Sequence, residues 1–283
     1  MKPLLLALTL VTVLVGVPSF SSAGVQVPPA VQTYDAFKLN YYEQTGPAAP
    51  TVTVQSEFSA RIFLTAPLGT ATSQLTTPGP NTYSMGTGGS ILKTGQTFTS
   101  QAAMEVAYPG GTYSYALSSV ELSPTSQAGA LTFPVTPYYA LSVPTFSNFA
   151  AMVSLNANQS FTFQWNSFVV NPFAQESDIF FRIFDSGNNA IVDVFIADQT
   201  TTSREIAPNT LNAGQSYRVA LYFSSRENHY EAGFNGANSL VAFDEVTQAS
   251  IMTVPEPATC TFLGAAGMAA LGMSRRRRHS PNA

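Results

Sequence analysis

The stretch from Ile179 to Ile196 reads IFFRIFDSGNNAIVDVFI and decides the fold class. Two runs rich in β-branched and aromatic residues, Ile179–Phe184 and Ile191–Ile196, flank the polar cluster Asp185–Asn189. Such runs favour strands, whereas Asp, Asn, Ser and Gly favour tight turns. The stretch therefore predicts a β-hairpin.

Alternating apolar residues extend this β prediction along the body of the chain, between residues 48 and 250. Period-2 patterning places every second side chain on the same face of a strand. Two such faces are formed by Phe58, Ala60, Ile62 and Leu64, and by Tyr217, Val219, Leu221 and Phe223. No segment of the body has a convincing helical pattern, so we expect an all-β fold.

A repeated pattern predicts two similar units. The sequence YPGGTYSYAL at 108–117 parallels NAGQSYRVAL at 212–221, which places Tyr113 and Tyr217 in equivalent positions. In both copies a glycine turn leads into a strand whose first inward residue is tyrosine. This pattern resembles the tyrosine corner of immunoglobulin and fibronectin type III sandwiches.

The resemblance implies two tandem immunoglobulin/fibronectin type III-like sandwiches. We expect β-sandwich unit 1 at residues 48–135 and β-sandwich unit 2 at residues 145–250. The linker between them, residues 136–144, contains prolines that make it semi-stiff. Residues 24–47 form an N-terminal segment outside both units.

The N-terminus, residues 1–23, has the pattern of a secretory signal peptide. Lys2 supplies a positive start, Leu4–Val17 is mostly apolar, and small residues precede the junction between Ala23 and Gly24. These features predict signal peptidase cleavage at that junction. The alternative is an uncleaved membrane anchor, for which the apolar run is short.

The C-terminus, residues 254–283, combines a stiff motif, an apolar segment and a basic cluster. The apolar residues predict a transmembrane helix at 258–274, and Arg275–Arg278 follow at once. Four arginines resist transfer through the hydrocarbon core, so we expect them to stay in the cytoplasm. The alternative is a buried core helix with a basic tail, but the Gly- and Ala-rich segment is a poor amphipathic helix.

The C-terminal pattern resembles the PEP-CTERM sorting signal. The matching residues are the recognition motif Pro255, Glu256 and Pro257 and the basic cluster Arg275, Arg276, Arg277 and Arg278. The resemblance implies processing by exosortase, a membrane-embedded cysteine transpeptidase. It also implies a Gram-negative bacterium that makes extracellular polysaccharide, and a transient anchor in the inner membrane.

Composition excludes several classes of function. The exported residues 24–257 contain seven Lys and Arg against sixteen Asp and Glu, a net charge of about −9. An acidic body without a basic patch argues against nucleic-acid binding. The single cysteine, Cys260, excludes an internal disulfide and a zinc site built on several thiolates. We expect no metal and no cofactor.

No catalytic motif is evident in the body. His229 has no recognisable nucleophile or orienting partner nearby in sequence. Pairs of acids, Glu176 with Asp178 and Asp244 with Glu245, are interpreted as solvated edge charges rather than glycosidase carboxylates. A hydrolase would need Glu176, Asp193 or His229 to meet in one cleft.

Two tyrosines of the linker are candidates for glycan contact. Tyr138 and Tyr139, and a second pair outside the linker, Tyr41 and Tyr42, lie in segments without clear patterning, where we expect the rings to be exposed. Trp165 shares a strand face with Phe161 and Phe163, so we interpret it as a core residue of unit 2 rather than part of a sugar-binding platform.

The sequence thus predicts an exported cell-surface or extracellular-matrix protein with a non-enzymatic spacer role. The PEP-CTERM resemblance implies that the chain is anchored in the inner membrane and then relocated to the surface or released after C-terminal processing. The alternative is a carbohydrate-binding module or adhesin that uses exposed aromatic side chains to bind exopolysaccharide.

Overall fold

The computed structural model describes residues 30–254, apart from residues 80, 87, 88, 230–233 and 235. Within that part the chain forms fourteen strands and two short helices, which confirms the all-β prediction. The strands are β1 (Val31–Glu43), β2 (Thr53–Leu68), β3 (Thr72–Thr76), β4 (Thr82–Ser84), β5 (Gly89–Phe98), β6 (Gly111–Ser118), β7 (Ser126–Phe133), β8 (Ser154–Asn156), β9 (Phe161–Gln164), β10 (Glu176–Phe184), β11 (Ala190–Ile196), β12 (Ser203–Ile206), β13 (Ser216–His229) and β14 (Asn238–Val254). The helices are α1 (Gln101–Ala107) and α2 (Phe149–Met152).

One large sheet forms the backbone of the fold. Its eight strands run in the order β11-β10-β13-β14-β1-β2-β5, and β8 pairs with the end of β14. β10 and β11 are the hairpin predicted from the sequence, and they pair antiparallel. β1 and β14 pair in parallel from Thr33 opposite Asn238 to Glu43 opposite Gln248. This parallel pairing joins the N-terminal strand to the last described strand.

Two small sheets pack on the same face of the large sheet and enclose two separate cores. The four-stranded sheet β4-β3-β6-β7 covers the first core, and the pair β12-β9 covers the second. Fully buried Phe58 and Tyr113 lie in the first core, and fully buried Phe163 and Phe181 lie in the second. Burying each such ring stabilises the fold by roughly 1.5–3 kcal/mol. The body is therefore a layered β-sandwich.

β14 contributes to both cores, because it is long enough to cross from one to the other. Val241 and Phe243 belong to the first core, whereas Ala249 and Ile251 belong to the second. These residues are two, six and two positions apart, so period-2 geometry places them on one face of the strand.

Both repeated tyrosines form the corner expected from the sequence. The Tyr113 hydroxyl donates to the carbonyl of Pro109 at 2.8 Å. The Tyr217 hydroxyl accepts from the backbone N–H of Asn212 at 2.8 Å. Each hydroxyl therefore binds the backbone just upstream of its own strand, which is the geometry of a tyrosine corner.

The position of β1 differs from the sequence-based expectation. Val31–Glu43 lies within residues 24–47, which the sequence patterns place outside both sandwich units, yet it is a central strand. Its side chains are buried on both faces, including Lys38 and Asn40, which are both 0% exposed. A strand buried on both faces loses the simple apolar–polar alternation that would reveal it.

The helices were not evident from the sequence because they are short, with seven residues in α1 and four in α2. In α1 only Met104 is buried, so no apolar stripe develops. The helix begins at Ser100, whose side chain accepts a hydrogen bond from the N–H of Ala103. Such an N-cap satisfies one of the free N–H groups of the first turn.

Candidate functional site

The large sheet has an open face, which we define as the face opposite the two small sheets. The apolar cluster on this face draws its members from strands of the sheet itself, with buried Leu39, Ala220 and Val246 at its centre. Within the described residues no second layer packs over this cluster. The centre of the face is buried by its neighbours, whereas Phe195 at its edge is 54% exposed.

An aromatic row crosses the open face perpendicular to the strands. It consists of Tyr41, Tyr222, Phe180 and Phe195, with Val246 between the two tyrosines. The strand register aligns these residues across β1, β14, β13, β10 and β11. The ring centroids of Phe180 and Phe195 are 5.3 Å apart, and those of Phe180 and Tyr222 are 6.4 Å apart. At about 4.8 Å between strands, the row is about 19 Å long.

Polar side chains flank the aromatic row on both sides. The next residues on the same face lie two positions along each strand. On one side of the row the register places Glu57, Asp244 and Asp178 there. On the other side it places Gln248 and Arg182. The open face therefore carries an apolar strip between two lines of hydrogen-bonding groups.

A cleft of about 290 Å³ lies at the centre of this face. Its volume is near the lower end of the range for small-molecule sites. It is lined by aromatic, apolar and charged side chains, namely Phe37, Leu39, Tyr41, Glu57, Ser59, Arg61, Phe180, Arg182, Tyr222 and Asp244.

Asp244 forms the polar floor of the cleft. It is only 6% exposed, and burial raises the pKa of its carboxyl group to about 6. A hydrogen bond with Ser224 acts in the opposite direction. Its Oδ1 atom has no hydrogen-bond partner among the described residues. A buried acceptor without a partner is unfavourable, so this carboxylate is suited to accept a hydrogen bond from a ligand.

Glu57 provides a second carboxylate at the edge of the cleft. The Tyr41 hydroxyl donates to its Oε2 atom at 3.3 Å. Partial burial raises the pKa of Glu57 from its ordinary value, against the effect of this hydrogen bond. Because Tyr41 belongs to the aromatic row, this hydrogen bond places the Glu57 carboxylate close enough to the row to bind the same ligand.

A polar seam separates the two cores on the covered face. It contains Glu245, which accepts a hydrogen bond from Nδ2 of Asn40 at 3.1 Å, and Asn40 in turn accepts from Ser56 at 2.8 Å. Burial raises the pKa of Glu245 to about 7. The Nζ atom of Lys38 lies 2.5 Å from Oε2 of Glu105. The seam is a buried polar network between the cores, in which Oε1 of Glu245 has a partner while its Oε2 has none among the described residues.

The two linker tyrosines lie over this seam rather than in solvent. Tyr139 is 8% exposed, and its hydroxyl donates to Glu105 at 2.9 Å. Tyr138 is half-buried and stacks on Phe173, with ring centroids 6.2 Å apart. Burial leaves the Tyr139 ring no free face for a sugar.

The adjacent acids Asp244 and Glu245 point to opposite faces of β14, as strand geometry requires. The interpretation of both as solvated edge charges is wrong, because both are buried in a central strand. Asp178 is also buried and pairs with Arg226, while Glu176 is exposed. Burial of these acids follows from strand order, which the local sequence does not encode.

The acids considered for a hydrolase do not meet in one cleft. Glu176 is at the start of β10, whereas Asp193 lies opposite Arg182 on the neighbouring strand. Six residues of extended chain separate these positions, which is about 20 Å. His229 ends β13, with its backbone opposite Ser239.

Other candidate residues have structural roles. Trp165 is 3% exposed in the second core and donates from Nε1 to the carbonyl of Thr201 at 2.9 Å. Asp185 closes the β10–β11 turn, where its Oδ1 atom accepts from the N–H groups of Gly187 and Asn189. No group of three or more His, Cys, Asp or Glu suited to a metal ion occurs in the part of the chain that the structure describes.

The end of β14 is fastened to the tyrosine-corner loop of the second core. Thr253 is fully buried, and its hydroxyl donates to the carbonyl of Asn212 at 2.6 Å. Its backbone N–H donates to the carbonyl of Gln215 at 2.9 Å. The strand ends one residue later, at Val254. The folded body therefore extends to the residue before Pro255.

Residues 253–278 match the PEP-CTERM protein-sorting motif. The chain carries this sorting signal. The PEP-CTERM motif begins inside the last strand, so no spacer separates it from the body. Its recognition residues Pro255, Glu256 and Pro257 and its cluster Arg275–Arg278 lie outside the described residues, as does the junction between Ala23 and Gly24.

Solved structures to which this chain shows some similarity include fibronectin type III domains. One is the FN1-FN3 domains of chicken CNTN1, with 8% identity and a TM-score of 0.23 over 66% of this chain and 61% of that one. Another is a two-domain fibronectin type III segment of chicken tenascin, with 10% identity and a TM-score of 0.21 over 66% of this chain and 90% of that one. A third is a Ca²⁺-stabilised adhesin with which an Antarctic bacterium binds ice, with 11% identity and a TM-score of 0.26 over 80% of this chain and 50% of that one.

No curated protein matches this chain in sequence. The chain spans 61% of the length of the CNTN1 structure, so that protein's partners say nothing direct about this one. Within the described residues no helix is long and apolar enough to cross a membrane. The expected transmembrane helix at 258–274 falls outside those residues.

Of the aromatic row, only Tyr41 was a candidate for glycan contact at the level of sequence, and its neighbour Tyr42 is buried. Phe180 and Tyr222 each stand between residues of the second core, for example Ile179 and Phe181 around Phe180. An aromatic residue out of phase with the core positions of its strand is the signal that marks such a row. Recognising the row itself also requires the strand register.

Proposed function

We propose that the protein is an exported surface or extracellular-matrix protein with a non-enzymatic, spacer-like role. Its body is a fused pair of fibronectin type III-like sandwiches, one around each core. The observation that carries the proposal is that the PEP-CTERM motif begins within the final strand of a folded β-body. The sorting signal therefore follows the folded domain directly in the chain.

In this proposal a signal peptide ending at Ala23 starts export. The helix at 258–274 then holds the chain in the inner membrane, with Arg275–Arg278 on the cytoplasmic side. Exosortase processes the chain at Pro255–Pro257 and relocates the body to the surface of an exopolysaccharide-producing cell. Removal of the helix leaves a body that ends close to its last strand.

The spacer role is supported by how the two cores are joined. β1 and β14 connect the two sandwiches by pairing in parallel over eleven residue pairs. The polar seam on the covered face also connects them. A connection through a continuous sheet is stiffer than a flexible linker. The pair would therefore hold a fixed shape beside the cell.

The test is to replace Pro255, Glu256 and Pro257 together by alanine in the full chain and fractionate the cells. We expect the variant to remain in the inner-membrane fraction with its C-terminus intact by mass spectrometry. A matched control replaces Ser280, Pro281 and Asn282, beyond the arginine cluster, and should be processed normally. Normal processing of the Pro255–Pro257 variant would refute sorting through this motif.

The second candidate function is carbohydrate binding, as a module or adhesin. Burial of Tyr139 argues against the linker tyrosines as its site. The observation that favours the function is instead the half-exposed aromatic row on the open face, with its polar flanks.

A further inference from the structure

We propose that the open face binds a neutral polysaccharide, laid across the strands along the aromatic row Tyr41–Tyr222–Phe180–Phe195. The inference deepens the carbohydrate-binding candidate and rests on the proposed surface location. It assigns a site and a ligand class to a face on which the described residues form no second layer.

The row has the shape that an extended sugar chain needs. Pyranose rings present flat C–H faces that pack on aromatic rings, and aromatic side chains add apolar contact area with little loss of conformational freedom. Phe195 is 54% exposed, while Tyr41, Phe180 and Tyr222 are half-buried and held by the sheet. The row is thus both accessible and fixed in position, which favours a linear ligand running perpendicular to the strands.

The flanks of the row have the chemistry that sugar hydroxyls need. Asp244 and Glu57 offer carboxylate oxygens that accept hydrogen bonds, and the Arg182 guanidinium group donates them. Asp244 is the decisive residue, because its Oδ1 atom has no partner among the described residues although it is buried. A sugar hydroxyl, directly or through a water molecule, would satisfy it.

The charges argue for a neutral ligand. The exported body is acidic, and carboxylates line one flank of the row, so an anionic polymer would be repelled. A cationic ligand would be repelled by the guanidinium groups of Arg61 and Arg182, which line the cleft. The guanidinium carbon of Arg61 lies 4.5 Å from the ring centroid of Phe37, and that of Arg182 lies 5.2 Å from the ring centroid of Tyr222.

The experiment is calorimetric titration of the exported, purified protein with the exopolysaccharide of the producing strain, mixed-linkage β-glucan, dextran and galactomannan, and with alginate as an anionic probe. We expect at least one neutral polymer to bind and alginate not to bind. Phe195→Ala and Tyr222→Ala should each weaken binding about tenfold, the loss expected from one well-placed aromatic contact.

Phe173→Ala is the matched control, since Phe173 is 70% exposed but lies outside the row against Tyr138. It should bind like the unaltered protein. The proposal is overturned if no neutral polymer binds, if alginate alone binds, or if both row variants bind with unchanged affinity. Mass spectrometry of the Pro255–Pro257 variant separates the two ideas, because its normal processing would count against the proposed sorting, whereas titration of the purified protein tests glycan binding alone.

Discussion

The Nδ2 atom of Asn40 donates a hydrogen bond to Oε1 of Glu245 at 3.1 Å, and so connects the first strand to the last described one inside the polar seam. The two residues are 205 positions apart in the chain. Both are buried, and the contact lies where the two cores meet. The junction between the cores therefore depends on specific polar contacts as well as on strand pairing.

Asn40→Ala should destabilise the protein by about 1–3 kcal/mol, because it removes the buried donor of Oε1 of Glu245. The midpoint of urea unfolding is the measurement. Asn238→Ala, at an exposed position on β14, is the control and should change stability by no more than about 0.5 kcal/mol. Equal stability of the two variants would show that the Asn40 contact contributes nothing.

The two buried acids of β14 predict that stability falls as pH rises from about 5 to about 8. Burial raises the pKa of Asp244 to about 6 and that of Glu245 to about 7. An acid with a higher pKa in the folded state binds its proton more tightly there, so the folded state is favoured below the unfolded pKa of about 4. This stabilisation of the folded state is lost as pH rises through the folded-state pKa values of the two acids.

Asp244→Asn should therefore flatten this pH dependence and raise stability at pH 8, by up to an amount on the order of 3 kcal/mol. Urea unfolding at pH 5 and pH 8 measures both effects. Glu43→Gln, at an exposed position on β1, should leave the dependence intact. A steeper dependence in Asp244→Asn would contradict the assignment.

Loss of a tyrosine-corner hydroxyl should weaken each core separately. Tyr113→Phe removes the bond to Pro109, and Tyr217→Phe removes the bond to Asn212. Each change should cost about 0.5–1.5 kcal/mol, the usual net value of one such hydrogen bond. Tyr138→Phe, outside both corners, serves as the comparison in the same thermal unfolding assay. Indistinguishable melting of all three variants would argue against the corners.

The ion pair between Lys38 and Glu105 should respond asymmetrically to substitution. The side chain of Lys38 is 0% exposed, whereas that of Glu105 is 23% exposed. Glu105→Ala leaves a buried cation without its partner and should cost about 3–5 kcal/mol. Lys38→Met removes the buried charge and leaves Glu105 partly solvated, so it should cost less. The reverse order in chemical denaturation would refute this account of the pair.

Local patterns in the sequence were sufficient for the hairpin from Ile179 to Ile196, for the tyrosine corners and for the PEP-CTERM motif. Each depends on residues that are close together in the chain or on a short motif. The roles of β1 and of Asp244 could not be predicted, because they depend on which distant strands pair. Tyr41 and Phe180 likewise fall in one row only once three strand pairings are known.

The parallel pairing of β1 with β14 also sets an order of events during biogenesis. β14 is the last described strand to be synthesised, yet it contributes to both cores and pairs with β1, β13 and β8. In the proposed export route, a chain that emerges N-terminus first would carry two unpaired strand edges until residue 254 had crossed the bilayer. The sheet would then close within a few residues of the proposed anchor, where a tethered chain meets few copies of itself.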